Sequence, residues 1–370
     1  MTAQSLILTK DVAVVGSDLA ITTPDNKSYT TGKKIFHLDK NFPVAVMING
    51  YIDFEDISLE TLIGEFAKTL DFENIKSIKQ IKDGFISYLE KNTEHTSSDE
   101  YLRWVLDSFK ENIVEEINDY GFEDVISYKK RKELLPFVKK YANFDSEFFD
   151  IIPNDSKRKY NQILWEIFSY ELSFEGSGVI FVGFDEKNYY PSFFEINIFC
   201  NDNGKLIYEE VDSRENSREP LIKVFAINEE AYSFITGVSS KFENEFIDFI
   251  DESNANIINN VKWYLKKEKF DEKTIEKIMD LVEITINDEY NELTKNINNF
   301  KLKTLNSTSK SLEYLPTQIL CNLADYMIKL TSLKQKLSLE LETVSCETDI
   351  AIITKVNNFK WLKNKNIIFK

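Results

Sequence analysis

Thr2, Asp18 and Lys34 are the residues of this chain whose types and spacing point most directly to chemistry, each lying sixteen positions after the one before. A threonine hydroxyl is a weak nucleophile until a base takes its proton, and a chain's own α-amine is such a base when threonine is the first residue. Thr2 meets that condition once Met1 is removed, and its small side chain permits the removal. A lysine close to the hydroxyl and amine favours their deprotonated forms, and an aspartate paired with that lysine keeps it charged and oriented. Taken singly, each is an ordinary residue: threonine after methionine is common, and Asp and Lys are solvated on most surfaces.

The elements that must position the trio are short and apolar. Ser5 to Thr9 and Val12 to Ser17 are β-type runs flanking the turn pair Lys10-Asp11. Lys34 to Leu38 and Phe42 to Ile48 flank a polar turn at Asp39-Lys40-Asn41, and the four runs together predict a meander. Asn49-Gly50 ends the fourth run, and Ser58 is placed to cap a helix carrying Leu59, Leu62, Ile63, Phe66 and Leu70 at helical spacing.

Farther along, about Phe72 to Phe174 is helical in character, with aromatics such as Trp104 and Trp165 that read as core and a run, Lys129 to Lys132, that reads as a solvated face. The β pattern resumes in Gly178 to Phe184, Ser192 to Cys200 and Lys205 to Val211, separated by strong turn signals, and Leu221 to Ile227 is expected to continue that sheet. Lys241 to about Asn306 is a second charged helical stretch. Pro316 starts a helix predicted to bury Ile319, Leu320, Leu323, Met327 and Leu330, and it leads through Glu342-Thr343-Val344-Ser345 into a strand from Asp349 to Thr354.

The first part of this pattern resembles the start of a proteasome β-subunit, and of the related bacterial ATP-dependent threonine protease subunit, both N-terminal nucleophile hydrolases. That family begins with threonine, places Lys-Asp at a tight hairpin and Asp at the end of the second strand, and then has threonine four residues on and Lys-Lys before the next strand. Thr2, Lys10-Asp11, Asp18, Thr22 and Lys33-Lys34 fill those slots without a gap. The resemblance implies an α+β fold, a four-layer αββα sandwich of two antiparallel sheets between helical layers, with helical insertions at 72–175 and 241–313. Core segments are then 1–71, 176–240 and 314–370.

By the same resemblance Thr2 is nucleophile and base, Lys34 tunes it, Asp18 anchors Lys34, and Thr22 lines the substrate groove through its backbone. Asn49 and Gly50 stand near the family's oxyanion-hole glycine; as a pair they are equally a good turn. Glu342 takes the slot of an aspartate, one methylene longer, and Ser345 matches the serine of the family's Asp-x-x-Ser turn, although it serves equally well as a plain turn residue. At Gly237-Val238-Ser239-Ser240 the serine slot of a further family element holds Val238, so Ser239 or Ser240 is better read as a helix N-cap.

Composition narrows the alternatives. With 370 residues, 42% of them hydrophobic, the chain can bury a substantial core, and its net charge of −17 opposes binding to nucleic acid or anionic membrane. The first residues lack the pattern of a secretory signal and no run is long and apolar enough to span a bilayer, so the expected location is cytoplasmic. Cys200, Cys321 and Cys346 are read as free thiols, and His37 and His95 as satisfied or surface histidines. No metal or cofactor is called for. The function expected is a threonine-type peptidase or amidohydrolase acting on a peptide or protein, assembled as a homo-oligomer; the rival is a proteasome-like structural or interaction protein without activity.

Overall fold

The first strand, β1 (Ala3–Leu8), is buried along its whole length, and its alternation sends Leu6 and Leu8 to one face and Ala3 and Ile7 to the other. A strand apolar on both faces must lie between two layers, and that requirement organises the molecule. The structure, a computed structural model, describes residues 2–22, 28–29, 32–40, 42–93, 176–202, 204–227, 229–338 and 342–364. A two-residue turn at Lys10-Asp11, closed by the Thr9 amide on the Val12 carbonyl at 2.9 Å, returns the chain as β2 (Ala13–Asp18).

Two short pairs follow in the chain, β3 (Ile21–Thr22) with β4 (Ser28–Tyr29), and later β7 (Asp53–Phe54) with β8 (Ile57–Ser58). Between them lie β5 (Ile35–His37) and β6 (Val44–Gly50). The remaining strands are β9 (Ser177–Phe184), β10 (Pro191–Asp202), β11 (Lys205–Arg214), β12 (Leu221–Ala226), β13 (Thr348–Thr354) and β14 (Asn358–Lys363). Two five-stranded antiparallel sheets result, ordered β12-β1-β2-β13-β14 and β11-β10-β9-β6-β5.

This order corrects two expectations. The hairpin β5–β6 does not extend β1–β2 into a meander: it belongs to the opposite sheet, where β6 pairs with β9. Likewise β12 leaves the sheet of β9 to β11 and pairs with β1, Ala3 opposite Ala226. All three strands carry apolar residues that either sheet could bury, and local pattern does not distinguish one sheet from the other.

The sheets face each other through Leu6, Val15, Met47, Ile180, Val182 and Phe225, among others. Over the second sheet lie α1 (Leu59–Thr69) and α2 (Ile78–Asn92), which bring Leu62, Phe66, Phe85 and Leu89 onto Val46, Val179 and Phe181. Ser58 caps α1 as expected, accepting from the Thr61 amide. Part of the segment read as the first insertion is thus this outer layer, and residues 94–175, with His95 and the lysine run, lie outside the described residues.

Over the first sheet lie α3 (Glu229–Thr236) and α6 (Thr317–Leu337), which place Ala231, Leu320, Ala324 and Ile328 against Ile7, Val14 and Ile350. The chain is therefore an α+β sandwich of four layers. On α6 Leu320 and Met327 are buried and Leu323 packs on the same core, as expected, but the other two of the five positions differ. Ile319 and Leu330 are exposed, while Ala324, Ser332 and Gln335 point inward. Gly16 allows the close approach, since a Cβ there would stand 3.0 Å from Ile328 and 2.8 Å from the Ser5 hydroxyl, and that hydroxyl donates to the Ala324 carbonyl. Between α3 and α6 run two long helices, α4 (Ser240–Lys267) and α5 (Glu272–Ser311).

Candidate active site

β1 begins, β2 ends and β13 begins at one edge of the first sheet, with Gln4 opposite Ser17 and Thr348 opposite Asp18. That register brings the first residues of the chain alongside Asp18. Thr2 is buried, and its carbonyl accepts from the Ile227 amide at 2.9 Å, which extends the β1–β12 ladder by one step. The next amide, that of Ala3, donates to Asp18 Oδ1 at 3.0 Å.

Asp18 gathers four donors. Oδ1 takes Lys34 Nζ at 2.8 Å as well as the Ala3 amide, and Oδ2 takes the amides of Ala20 at 2.9 Å and Ser345 at 3.2 Å. Lys34 reaches it from the opposite sheet, just before β5, and its carbonyl accepts from the Ile48 amide at 3.0 Å. The pair is removed from water, with side chains 2% and 0% exposed. Burial pulls the Lys34 ammonium below the ordinary lysine value of 10.5; the charge and hydrogen bond of Asp18 push the other way without overcoming it. Because one oxygen of Asp18 holds both the lysine and the amide following Thr2, the ammonium lies close to the backbone of the candidate nucleophile.

Ser345 is held in this cluster by its neighbours. Gln335 on α6 accepts from the amides of Thr343 and Val344, and Ser332 donates to the Val344 carbonyl. Ser345 Oγ in turn accepts from the Glu347 amide at 2.9 Å, while the Leu19 amide donates to the Glu347 carbonyl. Glu342, by contrast, is exposed. Ser239 accepts from the Phe242 amide as the N-cap of α4. Thr22 pairs through its backbone with Ser28 in the short β3–β4 ladder that follows Asp18.

Asn49 and Gly50 close β6 at the same end of the sandwich. Asn49 is half-buried and donates to Gln4 Oε1 at 3.4 Å, and it faces Gly178, where a Cβ would come within 2.3 Å of its Oδ1. Gly50 has φ +75° and a Cβ there would lie 2.5 Å from the Gly176 carbonyl, so backbone and space both demand glycine. Sequence reasoning missed Gln4. It is buried two residues after Thr2, on the same face of β1, and its Nε2 donates to the Ile48 carbonyl at 2.7 Å and to Ser17 Oγ at 3.3 Å. Its signal was a polar residue with a long side chain at the head of a strand that is otherwise small or apolar.

Other candidates lie elsewhere. A cleft of about 340 Å³ lined by Phe42, Phe72, Phe184 and Lys355 sits at the far end of the strands, where β9 ends rather than begins. His37 stacks on Phe359 at 4.5 Å and hydrogen-bonds the Asp39 backbone, while its buried Nε2 has no partner among the described residues, so the ring is satisfied on one side only. Burial lowers its pKa. Cys200 and Cys321 are buried, and Cys346 is half-buried beside Ser332. Among the described residues no group of His, Cys, Asp and Glu is arranged to hold a metal, and no helix is long and apolar enough to cross a membrane.

No protein-family model matches the sequence. No curated protein matches it either. Among solved structures it is similar to Anbu (ancestral beta-subunit) from Yersinia bercovieri, at 8% identity and a TM-score of 0.37, over 98% of this chain and 88% of that one.

Proposed function

We propose that this chain is an N-terminal threonine hydrolase of amide bonds, a proteasome-like peptidase in the first instance, formed when removal of Met1 frees the amine of Thr2. The observation that carries this reading is the buried Lys34–Asp18 pair, anchored by the same carboxylate oxygen to the amide following Thr2. A buried ion pair is often no better for stability than apolar side chains of similar size. Its position beside a threonine two residues into the chain gives it a chemical use instead.

The steps follow from these groups. The Thr2 amine takes the proton of Thr2 Oγ1 as the oxygen attacks the amide carbonyl, and the Lys34 ammonium favours the alkoxide by its charge. Charge developing on the carbonyl oxygen is met by a backbone amide at the end of β6, around Asn49 and Gly50. The amine then passes its proton to the leaving nitrogen, which departs and leaves an ester on Thr2. Water, deprotonated by the same amine, hydrolyses that ester and regenerates the hydroxyl. Asp18 keeps Lys34 in place, and the Ser345 turn keeps Asp18 in place.

The rival reading, a proteasome-like structural or interaction protein, is favoured by one observation: Glu342 is exposed and Ser239 caps a helix, so neither is available to support the Thr2 amine. Intact mass combined with amide-hydrolysis assays on a peptide library separates the two. The hydrolase requires loss of the Met1 mass and turnover that disappears in Thr2→Ala; retained Met1, or turnover in Thr2→Ala, overturns it.

A further inference from the structure

Helix α4 is 28 residues long, about 42 Å at 1.5 Å per residue, and not one of its residues is buried. It is held at its base to α5 by Glu243 and Lys301 at 2.6 Å. A helix so placed should carry polar side chains on its outer face. Instead Phe242, Phe249, Ile257, Trp263 and Tyr264 are each between 49% and 62% exposed. Phe242, Phe249, Ile257 and Tyr264 recur at intervals of seven, eight and seven, which gathers them into one stripe along the helix. A stripe of that kind on a described surface marks a contact face.

The charges on α4 say what meets it. Apart from Lys241 in the first turn, every charged residue of α4 up to Ser253 is acidic, whereas the charges of its last turns, Lys262, Lys266 and Lys267, are all lysine. Glu245, Glu252 and Lys266 lie seven and fourteen residues apart, along one edge of the stripe. A two-fold axis crossing α4 near Asn256 lays that edge against the same edge of a second copy in reverse order. Glu245 then stands beside Lys266 and Lys267 of the second copy, Phe249 meets its Trp263 and Tyr264, and Ile257 meets its own counterpart. Acid faces base and apolar faces apolar in one register, the self-complementarity that an isologous contact requires. Anionic membrane and nucleic acid are poor fits to the acidic half.

We propose that α4 is a self-association face on which a second copy of this chain docks antiparallel. The aromatic stripes of two copies would cover on the order of 1,000 Å² of apolar surface, near the range of a specific interface. The proposal stands apart from the hydrolase reading, because its readout is mass and not activity.

Light scattering on the full chain tests it with two triple variants. One carries Glu245→Lys, Asp248→Lys and Glu252→Lys; the other carries Lys262→Glu, Lys266→Glu and Lys267→Glu. Wild-type chain at micromolar concentration is expected at no less than twice the 43.2 kDa monomer. Each variant alone should lose half of the wild-type mass, and an equal mixture of the two should regain it, which also shows that both are folded. Wild-type mass at the monomer value, an assembly whose mass neither variant changes, or variants that fail to recover on mixing would each overturn the proposal. So would a monomeric chain that binds another protein through this stripe.

Discussion

Lys34 donates to Asp18 across the gap between the two sheets at 2.8 Å, with almost no side-chain surface of either residue left in water. The contact joins the end of β2 to the start of β5 and makes the two sheets one unit at that end. Removing one partner leaves the other charge buried and alone. Asp18→Ala is expected to cost about 3–5 kcal/mol in denaturant unfolding, part of it from the amides of Ala3, Ala20 and Ser345 that lose their acceptor. Asp18→Asn with Lys34→Met should cost less than the sum of the two single changes. Additivity would mean that the two charges do not interact.

The trio should act as a unit in catalysis. Thr2→Ala, Lys34→Ala and Asp18→Asn are each expected to lower kcat by roughly the same large factor, and combining them should add little, because each removal disables the same step. Steady-state kinetics on purified variants with Met1 removed reads this directly. A Lys34→Ala enzyme of undiminished kcat would take Lys34 out of the mechanism.

The lowered pKa of Lys34 fixes the sign of two pH effects. Its folded value lies below its unfolded value, so in the window between them the unfolded chain holds more protons, and stability from this group rises with pH, complete only above the ordinary 10.5. It is lost as pH falls through the folded value. Activity runs the other way on the alkaline side: kcat/KM should rise as the Thr2 amine loses its proton and fall once Lys34 does, giving a bell whose alkaline limb lies below 10.5. In Lys34→Arg, which stays charged, that limb should vanish.

The sequence showed these residues and their local elements because the signals were local. Burial on both faces left Leu6 to Leu8 and Val12 to Val15 as short continuous apolar runs, the two-residue turn was marked by Lys10-Asp11, and the hydroxyl of Ser58 sat one residue before an amphipathic helix. What stayed illegible was non-local. The partner of β6 is β9, more than a hundred residues on, and either sheet would have accepted β5, β6 and β12 on apolar pattern alone. The face of α6 was read only in part, for another reason: beside Leu320, Leu323 and Met327 its inward side holds Ala324, Ser332 and Gln335, which serve the close approach at Gly16 and the turn that holds Ser345.

Gly50 offers a test of the turn beside the site. Gly50→Ala meets both a positive φ and the Gly176 carbonyl at 2.5 Å, so it should destabilise by more than the roughly 1 kcal/mol that separates glycine from alanine at a permissive position. Asn49→Ala, which removes only a half-buried side chain and a long hydrogen bond, should cost less by the same unfolding measurement.

Gln4 ties β1 to β6 through a donor and an acceptor on one side chain, so its variants separate positioning from packing. Gln4→Glu keeps the shape but removes the donor, setting a carboxylate against the Ile48 carbonyl; about 1–3 kcal/mol of stability should be lost, and the protonated acid at low pH should restore part of it. Gln4→Leu leaves the carbonyl unpaired without the repulsion and should be milder. If the end of β6 receives the developing charge in the reaction, both variants should lower kcat with little change in KM, because the amide there is misaimed only in the transition state. Equal losses in stability with kcat unchanged would confine Gln4 to holding the two sheets together.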